Sequence, residues 1–129
     1  MNSFNLLLKN KKINQPKEKI KIFCIGDIML DQNSFNKSNR VSPEGPFPVL
    51  EKVNDLFNLG GVGNVFKNLQ AYSKNIYLYS VIGSDANGKI LRNLLPKSSK
   101  YIKLYKEKNR PTTHKQRLFS SSHQILRID

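Results

Sequence analysis

An α/β fold is what this 129-residue sequence predicts: a partial layered sheet flanked by helices, with a proline-rich β flap and a C-terminal β hairpin added to it. Three observations predict it. The apolar run Ile22, Phe23, Cys24, Ile25 stops at Gly26 and Asp27, as a buried parallel strand does. A glycine-rich turn at 58–64 precedes apolar residues at helical spacing, and a second apolar run follows at 76–82. Strand, helix and strand in that order imply a right-handed crossover within one sheet.

The elements follow in order. Residues 1–19 hold a short apolar cluster at 6–8, followed rather than preceded by Lys9, Lys11 and Lys12, the wrong order for a secretory signal, and they read as a flexible basic leader. Residues 20–129 are expected to form one folded unit. Within it, 21–30 are assigned to a first central strand covered on both faces. The stretch 33–56 differs, because Pro43, Gly45, Pro46 and Pro48 interrupt two extended segments; proline removes ladder donors, which places these segments at an edge or in a projecting lid. Val65, Phe66, Leu69 and Tyr72 share one face of a helix expected at 64–73. After the strand at 76–82, Ser84 or Asp85 can cap a second helix carrying Ile90, Leu91, Leu94 and Leu95, which Pro96 stops. A short strand at 101–105 follows, and the tail alternates through 114–119, turns at 120–122 and returns through 124–128. Because the sheet is partial, it should leave one parallel edge unpaired.

Composition excludes several classes. The formal net charge of +13 comes from 22 Lys+Arg against 9 Asp+Glu. Most of the cations are lysines spread along the chain, while arginine, the better phosphate reader, is confined to Arg40, Arg92, Arg110, Arg117 and Arg127. No zinc finger, RNA-binding strand signature or basic helix leading into heptads is present, so no specific nucleic acid is expected, and general polyanion binding stands as an alternative reading. No apolar run approaches the roughly 20 residues that span a bilayer, so no membrane is expected and the default location is the cytoplasm. The lone Cys24 forms neither an internal disulfide nor a cysteine metal cluster and reads as a small buried hydrophobe.

Ligands of open α/β sheets gather beyond the carboxyl ends of the strands, and the candidate polar residues fall there. Asp27 and Asp31 follow the first strand, and Gly60, Gly61 and Asn64 lie where a helix begins. A carboxylate accepts hydrogen bonds from sugar hydroxyls, glycines admit a ligand close to backbone N–H groups, and an asparagine both donates and accepts. Singly, each has a plainer reading as a turn or cap residue. No catalytic residue and no metal ligand is assigned.

The segment Ile25, Gly26, Asp27, Ile28, Met29, Leu30, Asp31, then Asn39, Arg40, Val41, Ser42, Pro43, Glu44, Gly45, Pro46, Phe47, Pro48, Val49, then the glycine turn with Asn64, resembles the start of a ribokinase-type (PfkB) carbohydrate kinase. More narrowly it is similar to D-glycero-β-D-manno-heptose 7-phosphate kinase domains of bifunctional ADP-heptose synthesis enzymes. Arg110, Pro111, Thr112, Thr113, His114, Lys115, Gln116, Arg117 and the ending Gln124, Ile125, Leu126, Arg127, Ile128, Asp129 extend the resemblance in the same order. Such kinases transfer the γ-phosphoryl group of ATP, with Mg2+, to a sugar hydroxyl. The resemblance implies that Asp31, Gly60, Gly61 and Asn64 grip the sugar, while Lys115, Arg117 and Arg127 help hold the phosphate already on it. For Lys115 and Arg127 the plainer reading is an exposed position on an alternating hairpin.

Two departures from the family pattern matter. Val62 and Phe66 stand where small residues are usual and are expected to crowd the helix start. The family's second half, with its catalytic aspartate, anion hole and nucleotide pocket, does not follow Asp129, so the ATP and Mg2+ site is expected to be absent from this chain. The resemblance therefore implies a truncated, substrate-binding half with little activity alone, or a subunit of a split kinase completed by a second, C-terminal polypeptide. A homodimer through the lid is the other partner expected.

Overall fold

The computed structural model describes residues 20–97 and 101–129; the leader expected at 1–19 lies outside the described residues. The chain runs β1 (Ile22–Ile25), β2 (Ile28–Val41), β3 (Pro48–Gly61), α1 (Val62–Leu69), β4 (Ile76–Gly83), α2 (Ala86–Leu94), β5 (Ile102–Glu107), β6 (His114–Ser120) and β7 (His123–Ile128). These strands make two sheets. A parallel sheet has the order β1-β4-β5, and a mixed sheet has the order β3-β2-β6-β7. Only Gly26 and Asp27 separate the strand of the first sheet from that of the second.

In the parallel sheet, side chains alternate between faces. Cys24, Ile76, Leu78, Ile82 and Ile102 turn to one side and build the core with Phe66 from α1 and with Leu91 and Leu95 beside α2. Cys24 is a core hydrophobe whose thiol burial pushes up. Among the described residues nothing covers the opposite side: Phe23 is 58% and Ile25 76% exposed, and Phe23 stacks on Tyr77 at 4.7 Å while Tyr77 tilts against Tyr101 at 4.7 Å. The assignment of 21–30 to one central strand covered on both faces is thus corrected. β1 is four residues long and pairs only with β4 among the described residues, leaving the expected free parallel edge, and helices cover one face of it. An apolar run reports hydrophobic side chains on both faces and does not say whether both are covered.

α1 is shorter than the predicted 64–73 helix and starts two residues earlier. Phe66 is 2% exposed, whereas Val65 is half exposed and Tyr72 61% exposed, so the buried stripe is Gly63, Phe66 and partly Leu69 rather than the predicted face. After Leu69 the backbone tightens into turns, with the Tyr72 and Ser73 N–H groups both donating to the Leu69 carbonyl, and this swings Tyr72 off the helical stripe.

The expected flap at 33–56 falls inside a longer antiparallel hairpin, registered from Ile28 opposite Gly61 to Val41 opposite Pro48. Its turn closes by a Ser42 N–H to Phe47 carbonyl bond of 2.9 Å, and Pro48 begins β3, which lies at the sheet edge where a missing N–H is tolerated. The C-terminal hairpin is β6 and β7, joined at Ser121 and Ser122. Flap and hairpin are not separate additions. β2 pairs in parallel with β6 from Leu30 opposite His114 to Asn36 opposite Ser120, so all four strands form one sheet.

A polar clamp fixes that sheet to the helices. The Asp85 carboxylate caps α2 by accepting from the Gly88 N–H at 2.8 Å, and it also accepts from the Thr112 N–H at 2.8 Å and the Thr112 hydroxyl at 2.6 Å. The same hydroxyl oxygen accepts from the Gly83 N–H at 2.9 Å. A side chain on Gly83 would run into the Arg110 carbonyl, so the approach to β6 is held against the end of β4. The bonds from Thr112 hold the Asp85 carboxyl below the usual carboxylate range. Asp85→Ala is expected to lose about 1–2 kcal/mol of stability in urea denaturation, the usual cost of an N-cap with additional bonds. A group with a lowered folded-state pKa stabilises above its unfolded value of about 3.9 and loses that contribution as pH falls through its folded one. The deficit of Asp85→Ala relative to the parent should therefore shrink as the pH is taken below about 4.

Candidate functional site

The register of the mixed sheet decides which predicted residues meet. Along β2 the odd positions Met29, Asp31, Asn33 and Phe35 share a face, and across from them stand Gly60 opposite Met29, Lys115 opposite Asp31 and Arg117 opposite Asn33. Arg127 on β7 is in turn opposite Arg117. Stacking of Phe35 on Phe119 at 5.2 Å marks the same face. Asp31, Gly60, Lys115, Arg117 and Arg127, which lie far apart in sequence, are thus brought onto one side of one sheet.

Gly60 makes room for the carboxylate. A Cβ there would sit 2.6 Å from Asp31 Oδ2 and 2.6 Å from Met29 Cγ, so the acid lies over the strand where only hydrogen fits. Gly61 has φ +56°, where a side chain would also meet the Asp27 carbonyl, and this bend lets the Val62 N–H donate to that carbonyl at 3.0 Å as α1 begins. Asn64 stands exposed on the first turn of α1, and its side chain makes no hydrogen bond among the described residues. Val62 and Phe66, expected to crowd this start, pack into the core instead; Val62 Cβ lies 3.6 Å from where a Cβ on Gly26 would be, an ordinary contact.

The charges on this face are paired unequally. Arg117 Nη1 lies 3.5 Å from Asp31 Oδ1, too far for a good hydrogen bond, and both side chains keep about a quarter of their surface in water (29% and 26%). Arg127 donates through Nε to Asp129 Oδ1 at 2.8 Å and through Nη2 to Asp129 Oδ2, a two-pronged pair that lowers the Asp129 carboxyl and raises the Arg127 guanidinium. Lys115 has no ion pair among the described residues, although its charge helps lower Asp129. Asp27, beyond the end of β1, pairs with Arg110 at 3.3 Å in the open. Beside the face opens a cleft of about 630 Å³ lined by Met29, Asn87, Arg110, Thr112, Lys115 and Asp129. No three His, Cys, Asp or Glu side chains converge among the described residues.

Sequence reasoning missed the other face. There the Gln32 Nε2 and Gln116 Nε2 groups both donate to Ser34 Oγ, at 3.1 and 3.0 Å, and His114 Nε2 meets Gln32 Oε1 at 2.9 Å. Because Gln32 uses its nitrogen on Ser34, its oxygen is the acceptor and His114 carries its proton on Nε2. Asp55, bonded to Lys52 at 2.6 Å and to Ser34, has its carboxyl held below the ordinary range. The alternation Gln32, Ser34, Asn36 was the available signal, but polar residues at period two read as a solvated face until a partner strand is known.

The chain is 41% identical over 111 residues to the bifunctional protein HldE of Nitratiruptor sp. and 40% identical over 111 residues to that of Citrifermentans bemidjiense, covering 86% and 85% of this chain. Over these residues it is homologous to HldE. Helicobacter pylori HldE matches at 38% over 110 residues. The chain spans about a quarter of these HldE relatives (24%, 23% and 24%). No family model matches. Among solved structures, Escherichia coli phosphofructokinase-2 in complex with fructose-6-phosphate superposes with a TM-score of 0.62 at 20% identity, over 85% of this chain and 35% of that one. A carbohydrate kinase from Agrobacterium tumefaciens gives 0.64 at 14%, over 84% and 34%. The fold is that of the carbohydrate kinases, and within it the HldE-like segment carries the Asp31 face.

Gly60→Ala should force the Asp31 carboxylate or Met29 aside, at about 1–3 kcal/mol as for other overpacked sites. Gly61→Ala should cost more than Gly60→Ala, since strained backbone adds to a collision with a main-chain oxygen that cannot swing away. Paired urea titrations check the ranking.

Proposed function

We propose that these residues form the sugar-gripping part of a D-glycero-β-D-manno-heptose 7-phosphate kinase, the activity that phosphorylates heptose 7-phosphate with ATP during ADP-heptose synthesis. The observation that supports it best is the assembly of Asp31, Lys115, Arg117 and Arg127 on one face beside a cleft, with Gly60 clearing space for the acid. The identity with HldE supports the same reading. Asp31 is suited to accept hydrogen bonds from sugar hydroxyls. Lys115 and Arg117 are suited to a phosphate dianion, for which charge-assisted bonds are strong and Arg offers a planar fork. Gly61 and Asn64, at the start of α1, would meet the sugar from the other side.

Phosphoryl transfer depends on positioning and charge stabilisation around ATP and Mg2+, and we assign none of the described residues to that role. The bare aromatic face of the parallel sheet and the free edge of β1 favour a second reading of the assembly, in which another polypeptide pairs with β1 and covers Phe23. A homodimer through the flap is the alternative arrangement, and size measurement at high protein concentration separates it from a monomer.

Titration of the chain with heptose 7-phosphate by calorimetry should show binding. Asp31→Asn should weaken it about tenfold or more, in line with loss of a charged hydrogen-bond acceptor. Lys115→Ala should bring the affinity for the phosphorylated sugar toward that for free heptose. Heptose 7-phosphate that does not bind, with affinity for any nucleic acid that collapses in salt, would replace this reading with polyanion binding. ATP consumption by the chain alone would overturn the proposal that transfer needs further groups.

A further inference from the structure

Two acceptors on the Asp31 face have no donor. Asp31 Oδ1 and Asn33 Oδ1 are both shielded from water, and neither receives a hydrogen bond. They lie at successive positions of one strand face, and Arg117, the register partner of Asn33, reaches only to 3.5 Å from Asp31. A buried acceptor without a donor is costly, and it is asking for an N–H or O–H. A bare phosphate brings mostly acceptor oxygens and a negative charge, which the Asp31 carboxylate disfavours there. Residues two apart on a strand are separated by about 6.6 Å, so one hydroxyl cannot serve both.

We propose that Asn33 is a further specificity residue of this site, accepting one hydroxyl of a phosphorylated polyhydroxy ligand while Asp31 accepts another, as the ligand's phosphate draws the Arg117 guanidinium away from that row. The inference rests on the sugar-phosphate reading given above and adds to it a ligand requirement: at least two donor hydroxyls reaching along β2, and an anionic group within range of Arg117. The sequence offered no hint of it, because Asn33 is one of many asparagines in a polar stretch.

The test compares the parent chain with Asn33→Ala and the near-isosteric Asn33→Leu, titrated by calorimetry with heptose 7-phosphate, free heptose and inorganic phosphate. Both variants should bind heptose 7-phosphate about tenfold more weakly and inorganic phosphate as the parent does. Unchanged heptose 7-phosphate affinity in both, with Asp31→Asn still impaired, would overturn the role of Asn33 and leave the sugar-phosphate reading standing. A parent chain that ignores heptose 7-phosphate would remove both. Should the variants unfold, the parent answers by itself: the Asn33 side-chain amide signals in an NMR titration should move with heptose 7-phosphate and stay still with inorganic phosphate, and signals that stay still in both sink the proposal.

Discussion

The relation between the two sheets depends on one buried hydroxyl. Ser80 sits in the middle of β4, facing the core, where its Oγ donates to the Gly26 carbonyl at 2.6 Å and accepts from the Ile28 N–H at 3.0 Å. Those two backbone groups flank Asp27, in the two-residue link between β1 and β2. Gly26 has φ +157°, which L side chains rarely adopt, and Asp27 is exposed as the chain crosses from one sheet to the other. Left unpaired, both groups would be costly in so enclosed a place. By satisfying them, Ser80 sets where β2 starts, and the start of β2 sets the register of every residue on the Asp31 face.

From that origin β2 serves two purposes through its two faces. One face carries Leu30 into the core and then the ladder of Gln32, Ser34 and Gln116, whose bonds tie β2 to β6 independently of the backbone. The other face carries the candidate ligand groups. A one-residue slip would exchange the two, burying Asp31 and exposing Leu30, and the register is therefore held at several points. Ser80 holds the beginning, the Asp85–Thr112 clamp holds β6 beside it, and the Leu30 N–H donates to the Thr113 carbonyl at 2.9 Å between them.

Much of this was legible in the residues. The order of strands and helices, the cap at Asp85, the stop at Pro96 and the final hairpin all follow from local signals that act within a few residues. What could not be read were the long-range pairings. The run Ile22 to Ile25 looks like a doubly covered strand because Phe23 and Ile25 are apolar, yet their partner surface is not among the described residues. Parallel pairing of β2 with β6 joins residues more than eighty positions apart, and no local propensity encodes it. For the site, Asp31, Lys115, Arg117 and Arg127 were nameable from the motif resemblance, but their common face came only from register. Ser80, hidden in an apolar strand, and the unsatisfied Asn33 oxygen had no sequence signal at all.

The distribution of charge also becomes clearer in three dimensions. A formal excess of +13 suggests a generally cationic surface, yet the arginines of this site each have a carboxylate: Arg117 has Asp31, Arg127 has Asp129, and Arg110 has Asp27. Long side chains lose rotamer freedom when they bind, and a resident carboxylate imposes part of that ordering beforehand. On the sugar-phosphate reading proposed above, an incoming phosphate has to exceed the acid it displaces, which would filter out weak monoanions. The two-pronged Arg127–Asp129 pair is the harder to open, while the loose Arg117–Asp31 contact is the easier. On the same reading exchange at Arg117 would have a second effect, since its movement would free Asp31 for a hydroxyl. On that reading phosphate and sugar recognition are coupled through one weak ion pair between β2 and β6, and its 3.5 Å separation is what lets it open.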